Sequence, residues 1–424
     1  MDANEITQGK KWHRHAPAFA SFLAFQLGIN IMNALSGFIL VRSLSKLEYG
    51  WLTIAISLGA TLAVMLDPFT GSTLQAEAAK SDRTPRQLGT LVNTVSKLLL
   101  SRGIWIMAAA LFWFVTLLLK NGLPLPEAFT LCLVIITGYI PLSRAITMGQ
   151  ILRFKSCHVI SQTSDLTNAV VRLFCIATLG VASWLTALAG VLSVAAGQTA
   201  QLFVIRLQSA SHINESAAAS PEVAQAILQR ARPLWIHCLF FCFQGQIGLW
   251  IMGVFGSTSD LADLGALGRL SILLAPVGNF GQQFAIPRLA RLQTSIQLRK
   301  FALQSLLVFA AITGLLLIAS VEVPGAFLWF LGGQYASLQN EVPLLIGLCC
   351  LTTMSLFVWG ANICRGWTSL AFWVPLACLT SYTAAGCILK PVVTHSILLF
   401  LIAGQLPSLI LALIQQVRGM MMNQ

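Results

Sequence analysis

Four ionisable side chains stand inside long apolar runs of this 424-residue chain: Asp67, Asp165, Arg172 and Arg269. An ionisable group at bilayer depth costs about 2.5–3.5 kcal/mol on insertion scales, so it normally faces a cavity or an opposite charge. Asp165, Asn168 and Arg172 are spaced i, i+3 and i+7, which places them on one helix face, and Gln162 extends that stripe. Gln26, Asn30, Asn33 and Gly37 form a second stripe at i, i+4, i+7 and i+11. Farther on, His237 and Gln244 lie seven apart, and Arg269 is followed by Asn279, Gln282 and Gln283. Such groups either bond between helices, at roughly 0.6 kcal/mol each, or line a polar path. Arginine suits an anionic path because its planar fork binds phosphate oxygens bidentately and keeps its charge when buried. Arg269 has no acid within one turn on its own helix face, which favours a cavity. Asp165 and Arg172 could instead neutralise each other, and Arg144 can snorkel to the surface. Asp67 and Asp165, the acids at membrane depth, are the expected ion-coupling groups.

Positioning these groups takes helices that cross a bilayer. Hydrophobic residues make up 56% of the chain and charged residues only 9%, against about 25% charged in soluble domains. The mean hydropathy is +0.78. A span needs about 20 apolar residues, and the charged residues divide the sequence into pieces of that size. The predicted spans are 17–41, 50–74, 103–119, 128–147, 159–181, 184–205, 234–256, 264–285, 301–320, 342–362, 367–389 and 393–416. The fold class is therefore an all-α polytopic membrane protein of about twelve transmembrane helices. The first span is too long for the apolar core of a signal peptide, which runs about 7–15 residues, so it reads as uncleaved.

The net charge of +12 does not point to nucleic acid, because the basic residues form small clusters between apolar runs rather than one basic face. They report topology instead. With a cytoplasmic N-terminus, twenty Lys and Arg residues fall on the cytoplasmic side and four on the other, which predicts both termini inside. The polar stretch 206–233 divides the chain into six-helix halves, 1–205 and 234–424. A shift of 215 residues superposes Gly50 on Gly265 and Glu48 on Asp263. That is the pattern of a parallel internal repeat with a site between the halves. Prolines at Pro68, Pro276, Pro375 and Pro407 remove helix hydrogen bonds and permit kinks. Ten cysteines form no CxxC pair and no metal-spaced cluster, and they read as free thiols. GxxxxGK[ST], HExxH and GxSxG do not occur. No catalytic residue, cofactor or metal is expected.

Several segments carry a resemblance. FILVRSLSKLEYGWLTIAISL, with Arg42, Leu44, Tyr49 and Gly50, resembles the first loop and second helix of the polysaccharide transporter family. That family holds the Wzx-like O-antigen flippases and lies within the multidrug/oligosaccharidyl-lipid/polysaccharide exporter superfamily. AVMLDPFTGSTLQAEAAK, with Asp67, is similar to the stretch that follows in the family, though DPF stands where DFG or DLG is commoner. LGRLSILLAPVGNFGQQFAIPRLARL resembles the eighth helix and its exit at Pro287. FLWFLGGQYASLQNEVPLLIGL resembles the ninth-to-tenth loop, with Gly332 or Gly333 and Tyr335. Together these patches cover about a quarter of the chain.

The resemblance implies a flippase of the bacterial inner membrane that translocates an undecaprenyl-diphosphate-linked oligosaccharide. Its implied partners are that lipid-linked oligosaccharide, membrane lipids and a polysaccharide polymerase. The expected substrate path comprises Arg172, Arg269, Asn30, Asn33, Gln26, Asn168 and Gln244. A small-molecule or cation antiporter of the same superfamily is the alternative, disfavoured by the first-loop and ninth-loop patches. An integral-membrane glycan ligase is a further alternative, disfavoured because the longest outer loop, 321–341, holds only about 20 residues. Reporter fusions at Lys97, Lys155, Ser220 and Arg418 should read cytoplasmic, and those at Lys120, Asp260 and Lys390 should read outside. An outside signal at Ser220 would make the first half odd-numbered and end the repeat.

Overall fold

The computed structural model describes residues 24–70, 74, 84–154, 157–232, 235–281, 285–292 and 294–422. Every regular element among them is helical. In chain order these are α1 (Ala24–Ser43), α2 (Lys46–Thr70), α3 (Pro85–Leu98), α4 (Ile104–Lys120), α5 (Leu125–Phe154), α6 (His158–Val181) and α7 (Ala187–Ser209). There follow α8 (Pro221–Ala231), α9 (Trp235–Phe255), α10 (Thr258–Gly268), α11 (Ala275–Phe280), α12 (Ile286–Arg291) and α13 (Ser295–Glu322). The chain closes with α14 (Pro324–Leu331), α15 (Glu341–Cys364), α16 (Trp373–Leu389) and α17 (Thr394–Met422).

Eleven of the described helical stretches are long and apolar enough to cross a membrane, and α16 is a shorter apolar helix. Its 17 residues reach about 26 Å at 1.5 Å per residue, a little under a typical hydrocarbon core. The helices present Trp105, Phe112, Phe174 and Ile388 outward, each more than half exposed, as expected where the solvent is lipid. The predicted span 159–181 coincides with the observed Val159–Val181. Residues 17–23 of the first predicted span lie outside the described residues.

The third span begins far earlier than the charge pattern predicts. A continuous helical stretch runs Pro85–Lys120, with α3 joined to α4 by a π-helical turn at Leu99–Gly103. Thr84 caps α3, accepting from the Gln87 backbone N–H while the Gln87 side chain returns the bond, and Pro85 occupies the first position. α3 buries Leu88, Leu91, Val92 and Val95 on one face, so Lys97 rides an amphipathic helix, and Arg102 lies in the π-helical turn that continues it.

The chain forms two compact units. The first holds residues 1–44 and 51–246, and the second holds Ser45–Gly50 and Ile247–Gln424. In the first unit the polar stretch after α7 is a docked element. Asn214 N–H donates to the Pro85 carbonyl at 2.9 Å, and Ser220 N–H donates to Thr94 Oγ1 at 3.0 Å. Asn93 Nδ2 donates to the carbonyls of Glu215 and Ala217, both at 2.7 Å. The Glu215 carboxylate pairs with Arg144 at 2.7 Å and Arg206 at 3.2 Å, so Arg144 meets a carboxylate. In the second unit, Phe309 of α13 stacks on Phe357 of α15 at 4.2 Å between centroids, within a core that includes Ala285, Leu298 and Val358.

Gly89 on α3 makes the docking of 210–220 possible, since a Cβ there would lie 1.7 Å from the Asn214 carbonyl oxygen. Alanine favours a helix over glycine by roughly 1 kcal/mol, so Gly89→Ala should leave α3 helical and lift the docked segment. Limited trypsin digestion in detergent should then cleave 206–232 faster than in the wild type, with helicity unchanged by circular dichroism. Equal cleavage rates would contradict the close packing.

Candidate functional site

The stripe on α6 bonds mostly to neighbours in the first unit. Arg172 Nη2 donates to Asn33 Oδ1 of α1. Asn168 Nδ2 donates to Gln201 Oε1 at 2.7 Å, and Gln201 Nε2 donates to Asp165 Oδ1 at 2.7 Å. Arg153, at the end of α5, pairs with Asp165 Oδ2 at 3.2 Å. Asp165 thus pairs with Arg153 and Arg172 bonds to Asn33, each across to another helix. Seven residues on a helix cover about 10 Å, too far for one turn to bridge, whereas α5 and α1 bring partners directly alongside. Gly197 of α7 permits the contact: a Cβ there would stand 2.6 Å from Asn168 Oδ1, and small residues let membrane helices approach this closely.

Gln201 and Arg153 thus join Asp165 and Asn168 in one polar chain, and Asn33 holds Arg172 beside it on the same stripe. Gln26 and Asn30 lie half-buried on α1 and make no hydrogen bond among the described residues. Gln244 is half-buried on α9, and it is Gln246 that accepts a hydrogen bond from Ser57. Asp67 lies in the last turn of α2, with its side chain outside the described residues, as are the side chains of His237, Gln282 and Gln283.

A second polar cluster is built wholly in the second unit. Arg269 follows α10, at the start of a 3₁₀ turn, Arg269–Leu274, that interrupts the span before α11. Pro276, in the first turn of α11, has no N–H to continue an α-helical ladder, which accounts for the break. Arg269 Nε donates to the Tyr49 hydroxyl at 3.0 Å, and that hydroxyl donates to the Gly265 carbonyl at 3.3 Å. Among the described residues the terminal guanidinium nitrogens make no hydrogen bond and no ion pair.

The neighbouring charges cancel each other. Lys46 Nζ lies 2.9 Å from Asp263 Oδ1 and 5.2 Å from the Tyr335 ring centroid, a cation–π distance. Asp263 is buried. Tyr49 and Tyr335 are both fully buried and meet edge-to-face at 6.5 Å. Burial pushes the Tyr335 phenol up, so it stays neutral. Residues 46–49, 263–269 and Tyr335, far apart in sequence, therefore share one contact set within the second unit. Of this set the sequence pattern singled out only Arg269 as a site residue; Lys46, Tyr49, Asp263 and Tyr335 are the participants it missed.

Solved structures share this architecture. An inward-facing multidrug resistance MATE family transporter of the MOP superfamily matches with a TM-score of 0.68 at 14% identity, covering 93% of this chain and 94% of that one. The lipid II flippase MurJ, in an inward closed conformation, matches with a TM-score of 0.67 at 12% identity, covering 94% and 91%. The eukaryotic MATE transporter AtDTX14 matches with a TM-score of 0.64 at 14% identity, covering 97% and 100%. The chain has the fold of these transporters. No family model matches the sequence, and no curated protein matches it either.

Removing the Tyr49 hydroxyl strips Arg269 of its acceptor and Gly265 of a donor. Tyr49→Phe should lower stability by about 1–3 kcal/mol, the cost of leaving a buried polar group unmatched. Tyr335→Phe should cost little, because the Tyr335 hydroxyl is buried and has no hydrogen-bond partner among the described residues. Thermal unfolding of the two variants in detergent makes the comparison. Equal losses would mean that the Arg269–Tyr49 bond contributes nothing.

Proposed function

We propose that this chain is a flippase that moves an undecaprenyl-diphosphate-linked oligosaccharide, an O-antigen or exopolysaccharide repeat unit, across the bacterial cytoplasmic membrane by alternating access. The observation that carries the reading is Arg269. Its guanidinium is fixed by a neutral phenol and keeps two terminal nitrogens without a protein acceptor among the described residues. A held but uncancelled cation at membrane depth suits a diphosphate, whose oxygens take both terminal N–H pairs. Arg172, in the first unit, is a second guanidinium of the proposed path, and Asn33 accepts its hydrogen bond. The interrupted span beside Arg269 is the kind of discontinuous helix that forms transporter sites. The likeness to a structure named as a lipid II flippase agrees with a lipid-linked substrate. In this reading both termini are cytoplasmic, which follows from the placement of Lys and Arg.

Small-molecule or cation antiport remains the second reading, because two of the similar structures are named as MATE transporters. An uncancelled guanidinium repels a cationic substrate, and this ranks antiport lower. The test is surface polysaccharide, normalised to protein level, in a strain lacking the chromosomal copy. Arg269→Lys should lose much of the surface glycan, since an ammonium makes point contact where the guanidinium fork makes two bonds. Arg269→Ala should lose more, and Arg172 variants should behave alike. Full complementation by the Arg172→Ala, Arg269→Ala double variant at normal abundance would end the anionic-path reading.

A further inference from the structure

We infer that a cavity of about 420 Å³ between the Arg269–Phe280 segment and α15 is a neutral subsite that binds a sugar of the transported lipid-linked glycan. The inference rests on the flippase reading and names which part of the substrate this wall takes. The volume lies within the range of small-molecule sites, roughly 300–1,000 Å³. All of its lining residues belong to the second unit. They come from one face of each segment, at i, i+3, i+4, i+7 and i+8 from Ser271 and at i, i+1, i+4, i+5, i+8 and i+9 from Leu348.

The lining carries hydrogen-bonding capacity and no charge. Asn279 offers two N–H donors and a carbonyl acceptor, and its side chain makes no hydrogen bond among the described residues. The Thr353 hydroxyl is equally unengaged. Ser271 and Thr352 spend their protons on the carbonyls of Gly268 and Leu348, at 2.7 and 2.9 Å, and turn acceptor lone pairs outward. Leu356 and Phe357 supply apolar wall beside them. A lipid tail in this space would leave the Asn279 amide unmatched in an apolar medium, at a cost that disfavours it. An ion finds no counter-charge in the lining. A pyranose presents hydroxyls that both donate and accept, around a ring of C–H groups, and it matches this combination. Arg269 starts the same 3₁₀ turn two residues before Ser271, so diphosphate and first sugar can be taken by successive parts of one interrupted span.

The test is a binding titration of the full-length protein in nanodiscs, read by native mass spectrometry. The probes are undecaprenyl diphosphate and the same carrier bearing N-acetylglucosamine. The wild type should favour the sugar-bearing carrier by about tenfold, the worth of a few matched hydrogen bonds. Asn279→Leu combined with Thr353→Val should abolish that preference and hold affinity for the bare carrier within about twofold. Thr353→Val alone, nearly isosteric, should cut the preference by about threefold and guards against misfolding of the double variant. Arg269→Ala should weaken both carriers and keep their ratio. A wild type without preference, or a double variant that retains it, overturns the sugar subsite. Arg269→Ala binding both carriers as the wild type does would instead overturn the diphosphate reading, with the ratio still deciding the subsite.

Discussion

The hydrogen bond from Arg269 to Tyr49 sets the character of the second unit. A guanidinium at this depth has to be held, and the choice of partner decides what is left of its charge. A carboxylate would hold it and cancel it, as Glu215 does for Arg144 in the first unit and Asp165 does for Arg153. A phenol holds it and cancels nothing. The acid nearest in sequence, Asp263, is occupied by Lys46, so among the described residues of this cluster Lys46 is neutralised and Arg269 is not. Supplying that phenol requires the first turn of α2 to sit among residues 260–340, which is why Ser45–Gly50 belong with the second unit.

The interruption of the eighth span follows from the same arrangement. A regular helix from Thr258 to Phe280 would satisfy its own backbone and keep its side chains in fixed register. Pro276 removes one N–H, and the tighter turn at Arg269–Leu274 places Arg269 against Tyr49 while Ser271 meets the cavity. Irregular backbone at membrane depth is tolerated where it is buried in protein or lines a cavity. Here a cavity adjoins it.

The helices were legible because lipid imposes a simple rule. Each span must satisfy its own backbone with about 20 apolar residues, so charge gaps alone locate the elements, and 159–181 was placed to the residue. The start of α3 was not, although Thr84-Pro85 with Gln87 is a readable capping box. Charged residues on an amphipathic helix look like a boundary when boundaries are defined by charge. The α6 stripe was legible as a face, because 3.6-residue periodicity is local. Its partners were not, because Gln201, Arg153 and Asn33 arrive from other helices and spacing within α6 carries no record of them.

The Tyr49–Arg269 contact marks the outer limit of such reading. Its two residues lie 220 positions apart, and neither spacing nor composition links them. What the sequence did hold was a set of short stretches around Gly50, Gly265 and Tyr335, each weak by itself. Their physical meaning lies in mutual contact: the Tyr49 hydroxyl reaches the Gly265 carbonyl, and the Tyr49 ring meets that of Tyr335. Residue types are constrained there because each side chain answers another, phenol to guanidinium, ammonium to carboxylate, ring to ring. A cluster that served stability alone would gain by pairing Arg269 with an acid or replacing it with an apolar residue, since buried charge is costly to keep. That a charge is held in place and, among the described residues, left uncancelled is therefore the physical argument behind the proposal that this cluster serves an anionic ligand.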